Sequence, residues 1–307
     1  MSEKIRILIA YDGSEFADSA IDDLPRAGLP READVMIAYV QETWLPPPSM
    51  YEIAEKVLVS SEPTAAKTVR AVEGPKADED DVLLLTHAVN KVRSYFPDWH
   101  LETHFMQGSP ASKIIRQSTD WNADLIVLGS HGTTGNRLFA LGSVSQKIAN
   151  EAGASVRIVR GNAWKQGSPS RIVVGLDGGE TALDVVRAVA RRMWTMGSEV
   201  RLVTAKELAG RASGAAQETE TWIGKFVQEA QSILDAAGLS VSHVIKEGNP
   251  KTVIVEAADE WGADCIFIGA SGRGSLLGSI LLGSVATAIV SRANCTVEVV
   301  RLNRPKS

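Results

Sequence analysis

Trp121-Asn122-Ala123-Asp124-Leu125-Ile126-Val127-Leu128-Gly129 returns further along the chain as Trp261-Gly262-Ala263-Asp264-Cys265-Ile266-Phe267-Ile268-Gly269. Each stretch is a short, continuous apolar run that ends on glycine. A run apolar at every residue, not at alternate ones, is the pattern of a strand covered on both faces, as in a parallel sheet. Working outward, three more pairs fall in the same order. Ile5-Arg6-Ile7-Leu8-Ile9-Ala10-Tyr11-Asp12-Gly13-Ser14 matches Arg171-Ile172-Val173-Val174-Gly175-Leu176-Asp177-Gly178-Gly179. Gly108-Ser109-Pro110 matches Gly248-Asn249-Pro250, and Gly142-Ser143-Val144 matches Gly283-Ser284-Val285. Four ordered anchors make the chain an internal duplication.

The offset between copies is 165 residues at the first anchor and 140 at the next two, so the first copy carries 25 extra residues. These are expected at about 44–81, a stretch opening on Trp44 and Pro46-Pro47-Pro48. An insertion of that length is expected to cover a site or to dock something, unless it is an irregular spacer. The boundaries expected are 1–160 for the first domain, 161–170 for a Gly- and Ser-containing linker, and 171–307 for the second domain. Strands are expected at Lys4–Tyr11, Asp34–Val40, Trp99–Met106, Asp124–Gly129 and Ser155–Arg160, then at Arg171–Asp177, Glu199–Ala205, Ser240–Lys246, Asp264–Gly269 and Thr296–Arg301. Segments of helical spacing lie between them; Pro110, for example, suits the first turn of a helix. Alternating strand and helix predicts α/β architecture: two tandem doubly wound, five-stranded parallel-sheet domains of Rossmann-like kind, with ligands at the carboxyl ends of the strands.

The stretch richest in chemistry is Gly129-Ser130-His131-Gly132, nine residues, then Gly142-Ser143-Val144. It leaves the end of a buried strand and enters a helix. Glycines admit positive φ and close approach of backbone to a ligand. The helix start offers unpaired N–H groups to an anion, and Ser143 can add a hydroxyl or serve as N-cap. No Lys follows Gly142-Ser143, so this is not a Walker A loop. The first strand ends in Asp12-Gly13-Ser14, not in a Gly-x-Gly-x-x-Gly turn, which excludes the dinucleotide fingerprint.

Strand-Asp-Gly-Ser, Gly-x-Pro before the third helix, and Gly-x2-Gly-x9-Gly-Ser before the last helix together resemble the universal stress protein family. The resemblance covers nearly the whole chain, twice, as in tandem members related to the UspA type, whose fold is like that of the adenine nucleotide alpha hydrolases. It implies that the glycine pattern holds the phosphates and ribose of ATP, while the first-strand Asp and the end of the second strand hold the nucleoside. In the first half these are Asp12, Gly13, Ser14, Val40, Gly129, Gly132, Gly142, Ser143 and Val144; in the second, Asp177, Gly178, Gly269, Gly272, Gly283, Ser284 and Val285. The second half departs from the pattern. Ten residues, not nine, separate Gly272 from Gly283, and Gly178-Gly179 replaces Gly13-Ser14. Nucleotide is therefore expected in the first half before the second. Arg137 and Arg273 lie inside the two loops and can neutralise a phosphate or simply face solvent. His131 is read as a passive loop residue, with phosphate contact or proton transfer as the alternative. The resemblance also implies pairing through the last strands, here Ser155–Arg160 with Thr296–Arg301, as a pseudo-dimer within one chain. That pairing would hide each strand's edge.

Composition sets the outer limits. The 307 residues are 44% hydrophobic and 22% charged, with a net charge of −5. There is no dense basic stripe, so nucleic acid is not an expected partner. The run Asp78-Glu79-Asp80-Asp81 is read as a solvated helix start. Met1 to Ala10 lacks a secretory pattern and no apolar run reaches the length of a membrane span, so a cytoplasmic protein without membrane contact is expected. Cys265 and Cys295 are read as core-filling thiols. His100, Glu102 and His104 would share one face of a strand, but the second copy keeps only His243, and no metal site is expected. Trp121 and Trp261 are read as packing residues, and Asp124 and Asp264 as shaping the turn before the fourth strand. Leu276-Leu277-Gly278-Ser279-Ile280-Leu281-Leu282 is either buried cover or an interaction surface.

Three functions are compatible with these residues. The first is an adenine-nucleotide-binding stress-response regulator, with ATP (with or without Mg2+) or another adenine nucleotide in one or both halves and an unidentified protein partner reading the bound state. The second is a nucleotide-free tandem interaction module. The third, a slow ATPase, has the least support, because only Asp12 and Asp177 stand out as acids for the chemistry. Catalytic residues and metal ligands are not assigned. A homodimer of such chains is compatible with the sequence.

Overall fold

The computed structural model describes residues 4–42, 77–131, 141–160, 167–177, 180–206, 213–270 and 281–301. The first half runs β1 (Arg6–Ala10), α1 (Glu15–Asp23), a single 3-10 turn (Leu24–Arg26), β2 (Asp34–Gln41), α2 (Glu79–Tyr95), β3 (His100–Gln107), α3 (Pro110–Asp120), β4 (Leu125–Gly129), α4 (Ser143–Glu151) and β5 (Ser155–Val159). The second half repeats the order: β6 (Arg171–Leu176), α5 (Glu180–Ala190), β7 (Glu199–Lys206), α6 (Ser213–Ala236), β8 (Ser240–Glu247), α7 (Pro250–Trp261), β9 (Cys265–Gly269), α8 (Ser284–Arg292) and β10 (Thr296–Val300).

All ten strands form one sheet in the order β3-β2-β1-β4-β5-β10-β9-β6-β7-β8. Neighbours within each half are parallel. The seam between the halves, β5 against β10, is antiparallel, with Val156 opposite Val299, Arg157 opposite Glu298 and Ile158 opposite Val297. In each half the order 3-2-1-4-5 reverses direction between the first and fourth strands. That reversal opens a crevice at their carboxyl ends, where ligands of open α/β sheets bind.

Local signals explain where the elements start. Ser14 is the N-cap of α1 and accepts from Ala17 N at 3.1 Å. Pro110 and Pro250 sit in the first turns of α3 and α7, where a missing N–H costs nothing. The acidic run turns out to be a capping box. Asp78 Oδ1 accepts from Asp81 N at 2.9 Å and Asp81 Oδ2 from Asp78 N at 3.0 Å. Asp81 is buried, so this end of the run is structural, not solvated, and the expected insert stops short of 81 because α2 is already under way. Residues 43–76 lie outside the described residues.

Asp124 and Asp264 do more than shape a turn. Asp124 Oδ2 accepts from Arg6 N at 2.9 Å, and Asp264 Oδ2 from Arg171 N at 2.7 Å. Each aspartate thus ties the foot of its fourth strand to the foot of the first, at the end of the sheet opposite the crevice. The same arginines donate to Trp121 O at 3.3 Å and Trp261 O at 3.1 Å. Both tryptophans pack against the core as expected, and the Arg201 guanidinium lies 4.2 Å from the Trp261 ring centre.

The two faces of the sheet are built differently. On the face covered by α3, α4, α7 and α8, one apolar core runs unbroken across both halves, including Val156, Ile158, Val297 and Val299 of the seam strands. On the other face the core is split, one part under α1 and α2, the other under α5 and α6. Between the two parts sits a cluster of buried charges. Arg157 Nε donates to Asp23 Oδ2 at 2.5 Å and Arg157 Nη1 to Glu298 Oε2 at 3.1 Å. Arg26 Nε donates to Asp23 Oδ1 at 2.5 Å, and Arg192 closes on Glu298. Arg157 is fully buried and Glu298 is 1% exposed.

Burial alone would push the Asp23 carboxyl up; the Arg157 and Arg26 guanidiniums outweigh it and hold the carboxyl below its usual range. Removing Arg157 would leave Asp23 with Arg26 and Glu298 with Arg192, each carboxylate short of one buried donor, so Arg157→Leu should cost about 1–3 kcal/mol in urea unfolding. Because the Asp23 value is depressed in the folded chain, its share of stability is complete above the ordinary aspartate value of 3.8 and is lost as pH falls below it. Urea midpoints of the wild type should therefore drop below about pH 4, and Asp23→Asn, already destabilised at pH 7, should show a shallower drop.

Candidate functional site

In the first half the crevice is walled by three pieces of backbone, each fixed by identifiable contacts. The first is the turn after β1. Asp12 Oδ1 accepts from Ser14 N at 3.1 Å and from Ser14 Oγ at 2.6 Å. Ser14 Oγ in turn caps α1, so this buried hydroxyl serves the loop and holds the Asp12 carboxylate in place. Gly13 has φ of +76°, the left-handed region that favours glycine; a Cβ there would meet only the movable end of the Leu84 side chain, at 2.8 Å.

The second wall is the end of β2. Tyr11 N donates to Ala38 O at 3.0 Å, and β1 pairs no further. Main-chain groups in a strand point to the same side at every second residue. The N–H and C=O of Val40 therefore face the side that β1 has just left. The Val40 side chain is buried in the continuous core.

The third wall is the start of α4. Gly142, not Ser143, is the N-cap, with φ −59° and ψ 147°, and no side chain caps the helix. Ser143 and Val144 are its first residues, so their N–H groups belong to the unpaired set at a helix start. Gly142 N donates to Ser130 O at 2.9 Å, which pins the helix start against the end of β4. Ser145 Oγ adds a bond to Gly129 O at 2.8 Å. Gly129 itself is required by packing: a Cβ there would meet the Phe16 main-chain carbon and oxygen at 2.6 Å. This glycine lets α1 come close to β4, a packing role that stands beside the ligand approach read from the sequence. His131 follows, its Nδ1 3.1 Å from Ser130 Oγ and its ring 5.1 Å from that of Phe16. Its Nε2 is buried and finds no partner among the described residues.

The second half repeats the frame with fewer fixings. Gly283 N donates to Ala270 O at 2.7 Å, and Gly283 is the N-cap of α8, whose first residues are Ser284 and Val285. Gly269 ends β9. Ala286 stands where the first half has Ser145, so the hydroxyl tie to the fourth strand is missing. Asp177 is exposed at the end of β6. Gly132, Arg137, Gly178, Gly272 and Arg273 lie outside the described residues, as do 276–280 of the leucine-rich stretch; Leu281 is exposed and Leu282 packs against the core. Among the described residues no three His, Cys, Asp or Glu side chains converge as a metal site would require, and no helix is long and apolar enough to cross a membrane.

Phe16 and Ser145 were not singled out from the sequence. Ser145 had a usable signal, a hydroxyl one residue past Val144 on the helix face that meets the preceding strand. Phe16 had none.

The sequence profile of the universal stress protein family matches residues 5–160 and again 169–301. The chain belongs to that family. It is a tandem member, with the doubly wound α/β fold in each half. Among curated relatives, a universal stress protein of Methanocaldococcus jannaschii is 33% identical over 75 residues, 24% of this chain and 44% of its own. One of Mycobacterium tuberculosis is 27% identical over 216 residues, 66% of this chain and 69% of its own. Among solved structures, a universal stress protein of Archaeoglobus fulgidus superposes with a TM-score of 0.62 at 21% identity, covering 98% of this chain and 97% of that one. This last likeness speaks to fold.

Gly129→Ala tests the packing of the crevice directly. Its Cβ must displace main chain of α1, so the variant should lose about 1–3 kcal/mol in urea unfolding. Gly153→Ala, where a Cβ meets nothing within 4 Å, should change stability little by comparison.

Proposed function

We propose that this tandem stress protein is an adenine-nucleotide-binding regulator, with ATP held in the first half and the bound state read by a protein partner. The observation that carries the reading is the meeting of three fixed backbone features at the switch point of one sheet. The uncapped start of α4, at Gly142, Ser143 and Val144, suits the phosphates, because N–H groups and the positive end of the helix dipole converge there. The Asp12 carboxylate and the main chain of Val40 suit the hydroxyl and amine donors and acceptors of a nucleoside. Gly132 and Arg137, by their place in the loop, complete the phosphate side in this proposal.

ATP fits these residues as a ligand more readily than as a substrate. Asp12 is the carboxylate fixed at the end of β1, and among the described residues no three acids, histidines or cysteines gather to hold a catalytic metal. Any Mg2+ would come with the phosphates and take its remaining ligands from them and from water. The assignment is accordingly to binding, with hydrolysis left out. For the second half, the nucleotide-free reading gains a specific support: Ala286 lacks the hydroxyl by which Ser145 ties the first-half helix to Gly129 O, and the Gly272-to-Gly283 interval is one residue longer. Residence in the cytoplasm goes with the regulator reading.

The test is simple. Protein purified without added nucleotide is denatured, and the supernatant is assayed for adenine nucleotide; separately, melting is followed with and without about 1 mM ATP. Bound nucleotide, or a melting temperature raised by mass action, is the expected result. An empty supernatant together with no shift removes the nucleotide reading. Gly142→Leu should abolish the shift if the first half alone is loaded, and a full shift in that variant moves the site to the second half.

A further inference from the structure

Helix α4 has two ends with different owners. Its start lies in the first-half crevice, and it runs nine residues, about 13 Å at the α-helical rise, to the seam. Its last carbonyls have no partner of their own in the helix, and its last turn contains no basic residue. The group that meets them comes from the other half. Arg301, just past β10, donates from Nη2 to Ala149 O at 2.6 Å and to Asn150 O at 3.4 Å. Its backbone is locked to the first half as well: Arg301 N donates to Ser155 Oγ at 3.0 Å, and Ser155 Oγ donates to Arg301 O at 3.2 Å.

The arrangement is reciprocal. Arg160, just past β5, reaches across the seam to the end of α8, donating from Nη1 to Ala293 O at 2.5 Å and from Nη2 to Val290 O at 2.7 Å and Ser291 O at 3.4 Å. Val290 and Ser291 occupy in the second repeat the positions of Ala149 and Asn150 in the first. The same carbonyls are thus taken at both helices by the same arginine of the opposite half.

We propose that Arg301 is a positioning residue for the first-half anion site, and that this site is completed by the second half of the chain. A cation at the C-terminus of a short helix fixes its axis and complements its dipole. Fixing the axis also fixes the direction in which Ser143 and Val144 present their N–H groups at the other end. Arg160 stands in the same relation to the start of α8, although that helix also carries Arg292 in its own last turn, so the dependence is greater in the first half. The inference rests on the reading of the α4 start as a nucleotide phosphate site.

The experiment uses the full chain in a Gly283→Leu background, which leaves the first site alone to be titrated with ATP by calorimetry. Arg301→Ala should weaken binding about tenfold, and Arg301→Lys should recover part of the loss, because it restores the charge without the planar guanidinium whose Nη2 meets both carbonyls. Glu298→Gln weakens the seam without touching a helix end, and should bind as the background does. In nucleotide-free protein, hydrogen exchange of the amides at the end of α4 should rise in Arg301→Ala and not in Glu298→Gln. Unchanged ATP affinity in a folded Arg301→Ala chain overturns the proposal, as does an equal loss in Glu298→Gln, which would mark the effect as general seam stability. A background protein that binds no ATP overturns the nucleotide reading first and this proposal with it; binding with the wrong mutational pattern overturns this proposal alone.

Discussion

The architecture depends on one buried contact, the pairing of Arg157 with Asp23 and Glu298 where β5 meets β10. A fully buried guanidinium loses several kcal/mol of hydration, recovered only if every charge finds its partner in good geometry. Here the partners come from both halves. Asp23 ends α1 and is shared with Arg26, while Glu298 sits on β10 and is shared with Arg192. Thr296 adds a hydroxyl toward Asp23 at 3.3 Å. The cluster occupies the strip where the two outer cores part, so charges fill space that neither apolar core reaches. Around it, Arg192 donates to Ala27 O at 2.6 Å and Met193 N to Gly28 O at 2.8 Å, fastening the second half to the turn after α1.

The same contact decides which surfaces pair. Arg157 and Glu298 occupy equivalent positions of the two repeats, in Ser155-Val156-Arg157-Ile158-Val159 and Thr296-Val297-Glu298-Val299-Val300, and they face each other across the antiparallel ladder. The pseudo-two-fold axis therefore passes through unlike charges. If either half paired with a copy of itself through this strand, it would set two guanidiniums or two carboxylates opposite one another in a dry environment, at a cost of several kcal/mol. The apolar residues on the other face of these strands would pack in any of these pairings; the charges distinguish the seam that forms.

Much of this was legible in the sequence, and the reasons differ by element. The central strands β1, β4, β6 and β9 are apolar at successive residues, and their limits were read to within one or two positions because glycine or aspartate ends each run. The pairing of the last strands, implied by family resemblance, is what the ladder shows. Asp78-Glu79-Asp80-Asp81 reads as a solvated helix start, and a helix does start there; its charge hides the capping-box spacing by which Asp78 and Asp81 exchange hydrogen bonds. Ser143 was taken as a possible N-cap on residue type, yet the strand-side bond from Gly142 N to Ser130 O sets the helix boundary one residue earlier. Gly129 reads as a point of ligand approach, and the structure adds a constraint from the backbone of Phe16, a contact between residues 113 positions apart that no local pattern reveals. The seam charges were visible as one ionisable residue in the middle of each last strand. What could not be read was that the two meet.

The crevice inherits its asymmetry from small differences laid on this common frame. Both helix starts are pinned by the same backbone bond, Gly142 to Ser130 and Gly283 to Ala270, so the two halves share one helix-start geometry. A helix start presents its N–H groups usefully only while its axis is held, and the first half has three devices for that: the Ser145 hydroxyl on Gly129 O, the close approach of Phe16 to the same glycine, and the Arg301 guanidinium on the far end. The second half has lost the first of these through Ala286 and keeps the third through Arg160. Loss of a single hydroxyl tie is worth only about 1 kcal/mol in a buried setting, too little to alter the fold and enough to shift an affinity several-fold. Duplication followed by such substitutions lets the two crevices diverge while the seam, which needs both halves intact, keeps the fold of each unchanged.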